Sequence, residues 1–186
     1  MKKSDSKYSA ASDTNSVRIS LWLDSYDDIF SDFDPRPIQE RRLSDDFIYE
    51  ARKACKEKSM GIQYFKLLIP DAIRNKEDEK QIIIRLNGYF RNSYLLQLTK
   101  IKEVKRSGIY FSLIGIALML IAGYISFLKS DKYYIHMLLV LFEPSGWFML
   151  WAGLDHFIYS VKKINEDLKF YSTLSKVHID FASYQD

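Results

Sequence analysis

A carboxylate, Glu143, lies near the middle of a long apolar stretch between residues 133 and 159, and Pro144 follows it directly. If this stretch is a membrane helix, ten residues precede Glu143 and place it near mid-bilayer. A charge at that depth costs a few kcal/mol or more, so the carboxyl is expected to be neutral, paired or in contact with a wet cavity. Two roles are open: an ion or proton path lined by several copies of Glu143, and a hydrogen bond that only associates helices.

The neighbours of Glu143 extend this candidate site. Pro144 lacks a backbone donor, which predicts a kink in the helix. Trp147 and Trp151 follow one turn apart on the side of Glu143, and Asp155 comes where lipid headgroups begin. The preceding apolar stretch carries a face of small residues, which predicts close helix packing within the chain or between copies. This face consists of Ser112, Gly115, Met119, Ala122 and Ser126.

A second candidate is the acidic loop, residues 24–42, which holds five aspartates and three arginines. Their spacing fits no calcium loop, which needs acidic groups at alternate positions around a central glycine. The first interpretation is a loop closed by its own ion pairs; the second is a site for a small anionic ligand or a protein partner. The residues are Asp24, Asp27, Asp28, Asp32, Asp34, Arg36, Arg41 and Arg42.

The sequence offers little for catalysis. It has no glycine-rich phosphate loop and no Ser/His/Asp arrangement, and its histidines do not cluster with the one cysteine. We therefore expect a protein that is not an enzyme and that holds no metal or cofactor. The net charge is only +3, and the basic residues form no stripe with interleaved aromatics, which argues against nucleic acid. Cys55 is expected to be a small, buried apolar residue of the predicted helix rather than a reactive thiol.

The soluble elements follow from periodicity. Residues 17–23 alternate as a strand, and Ser44 is a candidate N-cap of an amphipathic helix that ends near Lys58. Residues 62–69 give a second strand, and this order predicts a parallel unit. A helix begins near Asn75 and can run on into the apolar stretch as a stalk, with Gly88 as its weak point. Residues 177–181 alternate again and predict a third strand of the same sheet.

Two apolar segments, 109–128 and 133–160, are each long enough to span a bilayer. The predicted fold class is membrane α+β: a transmembrane hairpin inserted into a small split α/β domain, in the order β-α-β-α-TM-TM-α-β. Its parts are a disordered segment (1–16), the first part of the domain (17–106), the hairpin kinked at Pro144, and a closing helix and strand (161–182). Basic residues flank the hairpin's outer ends, so both termini are expected in the cytoplasm.

Two passages of the sequence look familiar: LDSYDDIFSDFDPRP…RRLSDDF (23–47) and LFEPSGWFMLWAGLDHFIY (141–159). Together they resemble small, uncharacterised prokaryotic membrane proteins with a cytoplasmic α/β segment ahead of two membrane helices. The resemblance covers most of residues 17–181. It implies the architecture given above and no particular activity.

Two functions follow from these observations. The first is a non-enzymatic, homo-oligomeric membrane adaptor or effector, whose cytoplasmic domain binds a ligand or partner and repositions the hairpin through the helix that begins near Asn75. Membrane perturbation, as in small two-helix immunity effectors, is one possible output by analogy of architecture alone. The alternative is a channel or transporter-like subunit that uses Glu143.

Overall fold

The computed structural model describes residues 17–58, 61–128 and 132–184. The predicted disorder of residues 1–16 lies outside these ranges, as do residues 129–131 between the two predicted apolar segments. The chain forms two compact units. Among the described residues, the sheet unit comprises 17–58, 61–88 and 176–184, and the helical unit comprises 89–128 and 132–175.

The sheet unit is built on three parallel strands: β1 (Val17–Trp22), β2 (Ile62–Pro70) and β3 (His178–Tyr184). Their order is β1-β2-β3, so β2 is central and pairs with a strand from each end of the chain. The predicted parallel arrangement is confirmed.

One face of the sheet forms the core. Alternation along the strands buries Ile19, Phe65 and Ile179 on the same side. Helix α1 (Asp45–Glu57) packs there, with the rings of Phe47 and Phe65 6.3 Å apart. The opposite face combines polar and aromatic side chains. Its exposed side chains include Arg18, Trp22, His178 and Asp180.

The ends of α1 differ in part from expectation. Ser44 is the N-cap residue as predicted, but its side chain makes no capping hydrogen bond. Its backbone makes a hydrogen bond instead: the Ser44 amide donates to the carbonyl of Ile29 at 2.9 Å. Beyond the helix, Gly61 has φ +79°, a conformation in which glycine avoids the steric cost of a side chain.

Helix α2 (Lys76–Phe127) is a single helix of 52 residues. The Asn75 side chain accepts from the Glu77 amide at 3.0 Å, and Glu77, Asp78 and Glu79 complement the positive end of the helix. Gly88 does not interrupt it. One continuous helix therefore begins soon after β2 and includes the first apolar stretch up to Phe127.

Helix α3 (Tyr133–Asp155) continues through Pro144. A single π-helical turn (His156–Ser160) then joins it to α4 (Val161–Leu174), whereas the sequence predicts a span up to residue 160. Both α2 and the α3–α4 segment are long and apolar enough to cross a membrane. Their most apolar windows are only 17% and 11% buried, unlike the core helix of a soluble protein.

Within the helical unit, α2 and α3 meet along a seam of glycines. A Cβ atom on Gly115 would lie 2.6 Å from the Leu150 backbone nitrogen, and one on Gly153 would lie 2.7 Å from the Gly108 carbonyl oxygen. A Cβ on Gly146 would lie 2.7 Å from Met119 Cγ. Three residues of the predicted small-residue face, Ser112, Gly115 and Met119, thus contact the other helix of the same chain, whereas Ser126 of that face is exposed. At Gly115 only glycine permits this approach.

Candidate functional site

The acidic loop is an ordered structure closed at its base. Ser31 N–H donates to the Arg42 carbonyl at 2.8 Å, and Phe30 and Leu43 form an antiparallel bridge beside it. At its start, Ser25 and Asp28 form a capping box on a short 3₁₀ turn (Tyr26–Ile29).

Asp34 is the most heavily bonded aspartate of this loop. Its carboxylate accepts from Arg36 Nη2 at 2.7 Å and Nε at 2.9 Å, and from the Arg42 backbone amide at 2.7 Å. The Arg36 guanidinium, followed by the Arg42 amide, holds the pKa of Asp34 well below its ordinary value. The same pairing raises the pKa of Arg36.

The other two arginines of the loop also have carboxylate partners. Arg41 Nη1 lies 2.6 Å from the Asp27 carboxylate, and its Nε donates to the Ser31 carbonyl at 3.3 Å. Arg42 Nη2 lies 3.4 Å from Asp45, at the start of α1. Because all three guanidinium groups are engaged, the geometry favours the ion-paired interpretation over an anion site. Asp24 and Asp32 have exposed side chains.

The acidic loop is also fastened to the first turns of α2. Gln39 Nε2 donates to Gln81 Oε1 at 2.6 Å. The Arg85 guanidinium donates to the Arg41 carbonyl through Nε at 3.2 Å and Nη2 at 3.1 Å. Any displacement of the loop therefore acts on α2.

A third attachment lies where the parallel strands end, and sequence reasoning missed it. Arg74 donates to both carboxylate oxygens of Glu79, from Nε at 2.7 Å and from Nη2 at 3.0 Å. Its Nη1 donates to Ser183 Oγ at 2.9 Å, and the Tyr26 hydroxyl donates to Glu79 Oε1 at 3.2 Å. We call Tyr26, Arg74, Glu79 and Ser183 the clasp, because they join the loop, the sheet and α2.

The clasp alters the acidity of its members. Hydrogen bonds from Arg74 lower the pKa of Glu79, which is only 7% exposed, and the carboxylate in turn raises the pKa of Arg74. Burial raises the pKa of the Tyr26 phenol. The only sequence signal for this site is the rule that polar side chains gather at the carboxyl ends of parallel strands.

Cys55 is half-buried on α1, and burial raises the pKa of its thiol to about 11. A thiol with that pKa holds little thiolate at neutral pH, which matches the interpretation of Cys55 as a packing residue. No group of three or more potential metal-ligating side chains occurs in the described part of the chain.

Glu143 lies at the midpoint of α3 with its side chain exposed. Trp147 and Trp151, on the same side of the helix, are 51% and 61% exposed. Asp155 is exposed at the end of α3, and Pro144 is exposed beside Glu143. The structure thus keeps these candidates on an outward surface of α3, outside the glycine seam.

No hydrogen bond or ion pair joins the Glu143 carboxyl to another of the described residues. Ser145, two positions on, donates its hydroxyl to the Leu141 carbonyl at 2.7 Å. In a bilayer core, an ionised carboxylate without a partner costs roughly 3 kcal/mol on insertion scales. If α3 lies in a bilayer, no described residue of this chain offsets that cost.

Two buried polar atoms along the seam, Ser112 Oγ and His156 Nδ1, also lack a hydrogen-bond partner among the described residues. Ser112 faces Gly153, and His156 is the first residue of the π-helical turn. The seam is thus held by close backbone approach rather than by side-chain hydrogen bonds.

Comparison of the chain with protein-family models, with curated proteins and with solved structures gives no match. The resemblance of residues 23–47 and 141–159 to small prokaryotic membrane proteins therefore stays a prediction.

Proposed function

We propose that this chain is a non-enzymatic integral membrane protein, an oligomeric adaptor in which the sheet unit receives a partner and α2 carries the effect to a transmembrane hairpin. One observation carries the proposal: the clasp and the acidic loop both bond to the first turns of α2, and the same helix continues to Phe127. A change in the loop then has a direct physical route to the seam.

The partner we propose is a protein rather than a small anion, because the three arginines of the acidic loop already bind carboxylates or lie beside one. Basic residues before and after the apolar helices, at Lys100–Arg106 and Lys162–Lys169, support a cytoplasmic location for the sheet unit. The proposed localisation is the inner or plasma membrane, with both termini in the cytoplasm.

The coupling is testable with the chain's own tryptophans. Of the three, only Trp22 lies outside α3, so a Trp22→Phe background makes emission report on Trp147 and Trp151 alone. The full chain is placed in liposomes that contain brominated phosphatidylcholine, which quenches indoles within the acyl layer. Arg74→Ala and Arg85→Ala, which release α2 from the sheet and loop, are expected to change this quenching.

Matched variants define the controls. Lys80→Ala, an exposed change on the same helix, is expected to leave quenching unaltered. Gly88→Pro breaks a helical hydrogen bond, and a Cβ at that position meets no atom within 4 Å. In this background Arg74→Ala is expected to lose its effect on the hairpin. If Arg74→Ala and Arg85→Ala both leave quenching unchanged in the intact helix, coupling through α2 is wrong.

A second candidate function, an ion- or proton-conducting subunit, is favoured by the outward exposure of Glu143. A ring of such carboxyl groups in an oligomer would line a path. Liposome flux separates the two functions: conduction requires proton or cation flux in the wild type that Glu143→Gln reduces. Absence of flux in the wild type, or flux that is equal in both proteins, contradicts the conducting role and leaves the adaptor.

A further inference from the structure

The surface of α3 around Glu143 is not used by the hairpin. The seam takes Gly146, Leu150 and Gly153 from α3, whereas the side chains of Glu143 and Trp147 are exposed. Val140, one turn before Glu143, is 71% exposed. This surface therefore presents one carboxyl group within an apolar and aromatic surround.

We propose that the occupant of this surface is a second copy of the chain, held by hydrogen bonds between the two Glu143 carboxyl groups. This inference rests on the proposed membrane insertion. A neutral carboxyl group donates and accepts at once, so it is complementary to itself. Lipid chains offer no such partner.

Symmetry favours a like copy over an unrelated partner. Copies inserted in one orientation carry Glu143 at the same depth, so rotation about the membrane normal brings identical groups together. A different membrane protein would need a matching polar group at that depth. Trp147, one turn along the same side, adds an indole donor and a large apolar ring to the contact.

The test counts copies in lipid. The full chain carries one dye at its amino terminus and is placed in phosphatidylcholine–phosphatidylglycerol liposomes at low protein-to-lipid ratio, where single-molecule photobleaching gives the number of copies per complex. The wild type is expected to bleach in two or more steps. Glu143→Leu, which removes the hydrogen bonds but suits a membrane helix, is expected to weaken association at least tenfold.

Two further variants sharpen the result. Glu143→Gln retains a self-complementary group and is expected to assemble close to wild-type level. Leu141→Val, an exposed apolar change on another side of α3, is expected to have no effect. A monomeric wild type, or a Glu143→Leu variant that assembles as the wild type does, overturns the inference.

Resistance to alkaline carbonate extraction is measured on the same liposomes. A wild type that carbonate releases contradicts membrane insertion, and with it the proposed function and this inference. A wild type that resists extraction and stays monomeric contradicts only the pairing of Glu143.

Discussion

Glu79 and Glu143 place the same functional group in opposite surroundings. Glu79 is 7% exposed and receives hydrogen bonds from Arg74 and Tyr26 within its own unit. Glu143 is exposed on an apolar helix and bonds to none of the described residues. The first carboxylate has its partners inside the chain, whereas the second has none among the described residues.

The difference extends to the units around them. The sheet unit joins its elements through charged and polar side chains, as in the clasp, in addition to an apolar core. The helical unit relies on glycines that let backbones approach, while two buried polar atoms on its seam lack partners among the residues described. We therefore expect different substitutions to destabilise the two units.

The largest effect is expected from a side chain placed in the seam. Gly115→Leu puts a Cβ 2.6 Å from the Leu150 backbone nitrogen, so α2 and α3 must separate. We expect a loss of roughly 3 kcal/mol in the unfolding free energy of the helical unit, at the upper end for overpacking. Steric-trap unfolding in lipid measures it.

Gly123→Leu is the matched control, since a Cβ there meets no atom within 4 Å. Equal losses in the two variants would contradict a seam formed at Gly115.

The second-largest loss of stability is expected from a substitution that removes the ion pair of the clasp. Arg74→Ala leaves the Glu79 carboxylate buried without its cation, and we expect a loss of roughly 2 kcal/mol in the opening free energy of the sheet unit. Hydrogen exchange of the β3 amides in the full chain measures it.

Arg42→Ala removes an exposed ion pair and is expected to cost below about 0.5 kcal/mol. A similar loss in both variants would show that the clasp adds no more than a surface pair.

The smallest effect is the pH dependence of the clasp. The pKa of Glu79 is lower in the folded protein than its ordinary value of 4.5. Its contribution to the stability of the sheet unit is therefore complete above pH 4.5 and is lost as the pH falls through the folded-state pKa. The pKa of Tyr26 is raised, so the dependence has the opposite sign: its contribution to the stability of the sheet unit is present below pH 10 and is lost as the pH rises above 10.

Hydrogen exchange of the sheet unit, read between pH 6 and pH 3, checks the acid limb. Glu79→Gln is expected to flatten part of the decline, with Asp34 supplying the rest. An unchanged acid limb in Glu79→Gln would place the dependence elsewhere.

Local patterns predicted most of the elements. Alternation gave the strands, and the absence of proline between Lys76 and Phe127 allowed one continuous helix. The ion pairs of the acidic loop could also be predicted from the sequence, because their partners lie within fifteen residues of one another.

The clasp and the seam could not be predicted from local sequence patterns. Arg74 and Ser183 are 109 residues apart, and their contact exists only once β3 takes its place in the sheet. The seam depends on how two helices are rotated against each other, and a list of small residues does not determine that rotation. For the same reason, the sequence left open whether Glu143 faces α2.

The proposed hairpin, which crosses the membrane twice and has both its ends on one side, can be tested directly. In a Cys55→Ser background, Lys132→Cys lies at the start of α3, between the apolar helices, and Lys163→Cys lies on α4 beyond them. A membrane-impermeant maleimide is applied to vesicles of known sidedness. We predict that Lys163→Cys is labelled only from the cytoplasmic side and Lys132→Cys only from the opposite side. Labelling of both positions from the same side would contradict the account.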